Sequence, residues 1–322
     1  MNQPSLYLMK NQFTIAAFAV LFVPFGSHAQ SARTAILVAE TAFAAQAAQA
    51  GTTAAFLANA APTALIAEKG RLASAQDVGQ ARPARPGSRF IWYPVLADVA
   101  QSGDLGYTTG PWTTLQNERP QAAGEYVTVW RKQPDGQWKF VVDMGVERIG
   151  TAPVSPAVVP QPRLLPAAGT PSVAPTSILL SLDRKFAAAQ LLKPGATYQQ
   201  YLSTEARLYR PGLSLMQGEA ASANMKNLDG GYLFDPTTGY LAAAGDLGYV
   251  VGTLRRAAAG TKHPEENGTY LRIWRREAVA GWRMVLEVFN FIPIPTDATA
   301  KPVVPTTEAG GTTGQLLPKR AQ

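Results

Sequence analysis

Two stretches of the chain carry apolar residues at helical spacing, and each gives way to a longer stretch patterned for strands. Ile36, Leu37, Phe43 and Ala44 recur with the helical period before Gly51, and Ile178, Leu179, Leu182 and Phe186 do so before Pro194. The glycine and the proline are stop signals, so each stretch predicts a first helix. A second, shorter helix is expected at residues 54–60 and again at 198–202. Downstream, residues 90–95, 105–114, 124–132 and 138–144 hold β-branched and aromatic side chains bounded by Gly, Pro and Asp, which predicts strands. Helices followed by an antiparallel sheet is an α+β layout.

The pattern repeats because the chain contains two copies of one unit. Gly103-Asp104-Leu105-Gly106-Tyr107 returns as Gly245-Asp246-Leu247-Gly248-Tyr249, and Gly124-Glu125-Tyr126-Val127-Thr128-Val129-Trp130-Arg131 as Gly268-Thr269-Tyr270-Leu271-Arg272-Ile273-Trp274-Arg275. The offset grows from 142 to 144 between these matches, so the intervening loop is two residues longer in the second copy, where insertions are tolerated. Between the copies, residues 151–175 hold seven prolines and no aromatic residue, the composition of a semi-extended linker. Residues 296–322 again lack aromatics and read as a disordered tail. The expected division is a leader at 1–29, copy one at 30–150, the linker, copy two at 176–295, and the tail.

Gln133-Pro134-Asp135-Gly136-Gln137 predicts a type I turn with glycine at the left-handed position. Pairing Gln133 with Gln137 sets Trp130 opposite Phe140, Thr128 opposite Val142 and Tyr126 opposite Met144. One face of this hairpin is then aromatic. The other carries Val127, Val129 and Val141, with Asp143 expected opposite Val127; in copy two it carries Leu271, Ile273 and Val285, with Glu287 opposite Leu271.

With these stretches in view, the chain resembles the NTF2-like superfamily and its SnoaL-like and DUF4440 members. The resemblance rests on GDLGYTTGPW (103–112), EYVTVWRKQPDGQWKFVVDMG (125–145), RPGLSLMQGEA (210–220), GDLGYVVG and the YLRIWRRE hairpin. It covers both copies and implies two tandem cones, each with N-terminal helices packed on a curved antiparallel sheet. The family includes isomerases, cyclases, dehydratases and members that only bind, so fold alone names no activity. No isomerase Tyr/Asp/Asp pattern transfers residue by residue. Copy one also departs from the family's Arg-Pro-Gly loop, with Glu68 and Lys69 where copy two has Arg210 and Pro211.

Composition narrows the function. The chain has 322 residues, 46% of them hydrophobic and 16% charged, so it is neither a disordered tail nor a disulfide scaffold. With no cysteine and two histidines, His28 and His263, three-histidine zinc, a Cys/His dyad and a repeated Ser-His-Asp triad cannot be built, and neither cofactor nor metal is expected. Lone His263, in a charged loop, reads as surface. The formal charge of +7 is spread: residues 30–150 carry 11 basic and 10 acidic side chains and residues 176–295 carry 13 and 10. Such dispersal argues against nucleic acid. Lys10, the apolar run from Phe13 to Phe25 and Ser27-His28-Ala29 read as a secretory signal cut after Ala29, with Met9 as the start. The expected location is periplasmic or secreted, with no membrane attachment after cleavage.

Asp143 and Glu287 are the candidate acid–base residues, as carboxylates among aliphatic neighbours on a concave face. The structural reading is that each pairs with an arginine or water near a strand end. Glu40 and Asp183, at equivalent places on the first helices, are weaker candidates to face the same cavity and are expected on the solvated side, and Asp104 and Asp246 are expected as turn formers. Tyr126, Trp130, Tyr270 and Trp274 are candidates to stack on a planar ligand, and Arg210 to hold an anionic headgroup. Three functions follow. The leading one is noncatalytic binding of small apolar or amphipathic molecules in the cones. The others are a cofactor-free isomerase or hydrolase using a buried carboxylate, and an assembly module, either an intramolecular pseudo-dimer or a homodimer through sheet faces.

Overall fold

A computed structural model describes residues 25–81, 86–150, 175–226, 231–256 and 267–293. Residues 1–24, most of the linker, the loop containing His263 and the tail from 294 lie outside the described residues. The expected cleavage site falls within the first turns of helix α1 (Phe25–Ala50). Gly51, at φ 90°, ends that helix and starts α2 (Thr52–Asn59). The chain then runs through β1 (Ala60–Glu68), β2 (Arg71–Ser74), α3 (Ala75–Ala81), β3 (Ser88–Trp92), β4 (Leu96–Val99), β5 (Leu105–Gln116), β6 (Arg119–Lys132) and β7 (Trp138–Glu147). Copy two follows the same order with one strand fewer, β10 standing for β3 and β4: α4 (Ser177–Leu192), α5 (Pro194–Tyr201), β8 (Leu202–Tyr209), β9 (Met216–Gln217), α6 (Glu219–Lys226), β10 (Tyr232–Leu241), β11 (Leu247–Arg256), β12 (Asn267–Glu277) and β13 (Gly281–Phe291). Pro194 opens α5 at the position where its missing N–H costs nothing. No helix among the described residues is long and apolar enough to cross a membrane.

The fold is α+β, with two sheets of matching strand order. The first runs β2-β1-β7-β6-β5-β3, with β4 also on β5, and the second β9-β8-β13-β12-β11-β10. Each is antiparallel except for one pair, β1 with β7 and β8 with β13, so the sheets are mixed. The sequence pattern did not single out β1 or β8 as strands.

The Gln133–Gln137 turn forms as expected: the Gln133 N–H donates to the Gln137 carbonyl at 2.8 Å, and Gly136 has φ 83°. Trp130 duly pairs with Phe140. Beyond it the register departs from expectation, because a bulge gives β7 one extra residue there. Val129 pairs with Val142, Thr128 with Asp143, Val127 with Met144 and Tyr126 with Gly145. An equivalent bulge in β13 pairs Ile273 with Leu286 and Arg272 with Glu287. Slipping by one residue turns a side chain to the other face. Asp143 and Glu287 therefore lie on the aromatic face, not the aliphatic one.

Helices cover the aromatic face of each sheet. The aliphatic face is buried against the other copy: Val127, Val129 and Val141 share one core with Tyr249, Val251, Leu271, Ile273 and Val285. Side chains of this size contribute on the order of 1.5–3 kcal/mol each when fully buried. The apolar alternation thus serves an interface between sheets where a concave ligand face was expected, and the described residues up to Ile292 form one compact unit.

Polar contacts between the copies are reciprocal. The Gln101 N–H donates to Asp246 at 3.0 Å and the Ala243 N–H to Asp104 at 3.1 Å, residues related by the same offset of 142. Asp104 and Asp246 do lie beside tight turns, and each also caps the turn of the other copy. Arg131 sits 5.0 Å over the ring of Tyr240, while its counterpart Arg275 pairs with Asp98, which stands where Tyr240 stands in copy two. At the far end, the Gly70 N–H meets the side chain of Asn290, whose amide donates to the Gly145 carbonyl at 2.6 Å, and the Gly212 N–H donates to the Glu147 carbonyl at 2.9 Å. Gly70 has φ 76°, and a Cβ there would lie 2.2 Å from the Ile292 nitrogen. A side chain is excluded on both grounds.

Candidate functional site

The most concentrated buried polar chemistry lies between the first helix and the aromatic sheet face, once in each copy. In copy one, α1 places Glu40 at the centre, wholly buried. Its Oε1 accepts from the Trp92 indole at 2.6 Å, and its Oε2 from the Thr108 hydroxyl at 2.5 Å and the Trp130 indole at 3.0 Å. Asp143 stands nearby and accepts from Thr128 at 2.8 Å. Burial, reinforced by the charge of Asp143 and only partly opposed by the three donors, pushes the Glu40 carboxyl up to about 7. Phe43 packs edge-on to Trp92 and Phe56 at 4.9 and 4.8 Å, closing the space around it.

In copy two, α4 places Asp183 at the matching point, also wholly buried. It accepts from the Tyr270 hydroxyl at 2.6 Å and from the Trp274 indole and Arg272 Nη1, both at 3.0 Å. Arg272 Nε donates to Glu287 at 2.6 Å, the Tyr198 hydroxyl donates to Glu287 at 2.9 Å, and Arg210 pairs with the same carboxylate. The guanidinium lies 3.9 Å from the Phe234 ring and 4.4 Å from those of Phe186 and Tyr270, so it is boxed by aromatic faces as well as by two acids. Burial opposes ionisation of Glu287, but Arg210 and Arg272 hold it below the usual carboxylate range. Burial likewise opposes charging Arg272, and Asp183 and Glu287 outweigh it, keeping the guanidinium protonated.

Glu40 and Asp183, expected on the solvated side, are thus the centres of the two networks. Tyr126, Trp130, Tyr270 and Trp274 line them as core side chains, at most 4% exposed. Arg210 is not free for an anionic headgroup: it is spent on Glu287 and stacks 3.6 Å over the Phe289 ring. The sequence reading missed Trp92, Tyr198 and Arg272. Chemically, copy one holds an acid poised near neutrality and copy two a fixed ion-pair network, both sealed by rings.

A cleft of about 310 Å³ lies elsewhere, lined by Ile91, Tyr93, Pro111, Thr113 and Leu115 among others. Along β5, Pro111, Thr113 and Leu115 continue the face on which Thr109 meets Tyr209 of copy two, at 2.8 Å between hydroxyls. The cleft is therefore on the sheet face that turns toward copy two, away from both networks.

No family model matches the chain, and no curated protein does. Among solved structures it is similar to an NTF2-like protein of unknown function from Pseudomonas putida KT2440, at 18% identity and a TM-score of 0.31, over 41% of this chain and 93% of that one. A ketosteroid isomerase-like protein from Erwinia carotovora atroseptica matches at 11% identity and a TM-score of 0.32, over 37% of this chain and 97% of that one. The CaMKII hub of S. rosetta matches at 15% identity and a TM-score of 0.30, over 37% and 98%.

Proposed function

We propose that the chain is an exported, noncatalytic tandem of NTF2-like copies whose function is assembly: the two copies pair through their aliphatic sheet faces as an intramolecular dimer. The crossed turn bonds, Gln101 to Asp246 and Ala243 to Asp104, carry this reading, because equivalent residues exchanging equivalent bonds is what a two-fold interface requires. The sealed networks support a noncatalytic role, since a substrate would have to displace core aromatics to reach Glu40 or Glu287. Cleavage of the Pro-rich linker followed by gel filtration tests the pairing. The halves are expected to co-elute; separate elution overturns it.

A second reading has its own observation. The cleft favours binding of a small apolar molecule on the sheet face of copy one, beside the interface, in place of the cones. Titration of the whole protein with aliphatic and aromatic acids, against a Thr113→Lys variant that fills the cleft, tests it. Saturable binding abolished by the substitution supports this reading, and binding indifferent to it does not.

A further inference from the structure

We infer that the paired sheet faces are coded for each other, so that copy one selects copy two and neither selects itself. This inference rests on the pairing proposed above and concerns its partner choice. The code lies in Thr109 and Tyr209, both essentially buried. Thr109 donates to the Tyr126 carbonyl at 2.5 Å, so it is left to accept, and Tyr209 donates to it at 2.8 Å. Arg207 also bonds this phenol oxygen, but a guanidinium only donates, so the phenol's own proton goes to the hydroxyl opposite it.

The repeat makes the alternatives computable. Thr109 pairs with Val127 in its own sheet and Val251 with Leu271, so Val251 is the counterpart of Thr109. Ala67 pairs with Met144 and Tyr209 with Val288, so Ala67 is the counterpart of Tyr209. Two copies of copy two would set Tyr209 against Val251 twice, burying two hydroxyls with no acceptor. Two copies of copy one would set Thr109 against Ala67 twice, leaving the volume of two phenols unfilled. Only the mixed pair satisfies the hydroxyl and fills the space. The crossed Asp104 and Asp246 bonds do not discriminate, because either copy supplies the same turn.

The experiment uses the full-length chain with a protease site inserted in the linker, cleaved after folding, incubated to equilibrium and analysed by native mass spectrometry. Mixed pairs are expected to exceed homotypic ones by roughly tenfold or more for each orphaned hydroxyl. In a Thr109→Val, Tyr209→Phe double variant the homotypic pairs of copy two should rise by at least about tenfold. Tyr209→Phe alone, nearly isosteric, should move the ratio in the same direction and covers any folding defect of the double variant. A statistical mixture from the unsubstituted chain, or a ratio that neither variant shifts, overturns the code while leaving pairing intact. Dissociation into single halves overturns the pairing itself, and the code with it.

Discussion

At the centre of copy one, Glu40 is held by three uncharged donors; at the same point of copy two, Asp183 faces the guanidinium of Arg272. The exchange is coordinated across positions. Where copy two has Arg272 and Phe234, copy one has Thr128 and Trp92, so the larger ring brings an indole donor to the acid as the guanidinium is lost. One fold therefore accommodates a buried acid in two ways, by neutralising it with a proton or by pairing it with a cation. The two solutions respond oppositely to pH and to mutation.

The largest effect is expected from Arg272→Met, which strands Asp183 and Glu287 in the core without their shared cation. Breaking a buried pair of this kind costs about 3–5 kcal/mol, whereas Thr128→Val at the matching point of copy one should cost only about 1 kcal/mol. Urea denaturation of the two variants checks the contrast, and equal losses would show that Arg272 is dispensable to its network.

The pH dependence sharpens the comparison next. The Glu40 carboxyl sits at about 7 in the fold against an ordinary 4.5, so the folded state favours its protonated form. Its contribution is complete below pH 4.5 and is lost as pH rises through about 7, a swing of roughly 3 kcal/mol. Glu287 runs the other way: held low by Arg210 and Arg272, its contribution is present above the ordinary carboxylate value and is lost as pH falls through its folded value. Hydrogen exchange should show copy one loosening toward alkaline pH and copy two toward acid. Glu40→Gln should flatten the alkaline limb alone; a limb unchanged by it places the titration elsewhere.

A smaller effect separates two equivalent glycines. Gly70→Ala meets both a left-handed backbone and the Ile292 backbone, and should cost about 2 kcal/mol. Gly212, at φ 71° with its nearest neighbour 3.9 Å away, should lose only about 1 kcal/mol when made alanine. Thermal unfolding distinguishes them, and equal losses would mean that the Gly70–Ile292 contact relaxes freely.

The smallest effect should fall on the crossed caps. Asp104→Ala and Asp246→Ala are each expected to cost about 1 kcal/mol and to be similar in size, as equivalent members of one pair of bonds. A markedly unequal pair of denaturation midpoints would break the two-fold relation at the turns.

Part of the missed chemistry was legible in the spacing. Ile36, Glu40 and Phe43 fall on one helical stripe, as do Leu179, Asp183 and Phe186, so the first-helix acids sit among residues that must be buried. Reading each acid alone, as a polar residue on a helix, concealed this. Arg272 was harder to place, since its burial depends on aromatic rings from α4, β10 and β12.

By itself the sequence determined the repeat, the first helices and the later strands of each copy, and the Gln133–Gln137 turn, because these depend on local period and on residues such as Gly136 with one conformational use. The tertiary structure alone decided which sheet face meets the helices and which meets the other copy. Both faces of these strands are apolar, so alternation cannot tell them apart, and a bulge near Val141 and Val285 then reverses the side on which Asp143 and Glu287 lie. A bulge relieves the packing demands of two faces at once, and those demands exist only when helix, sheet and partner sheet are assembled.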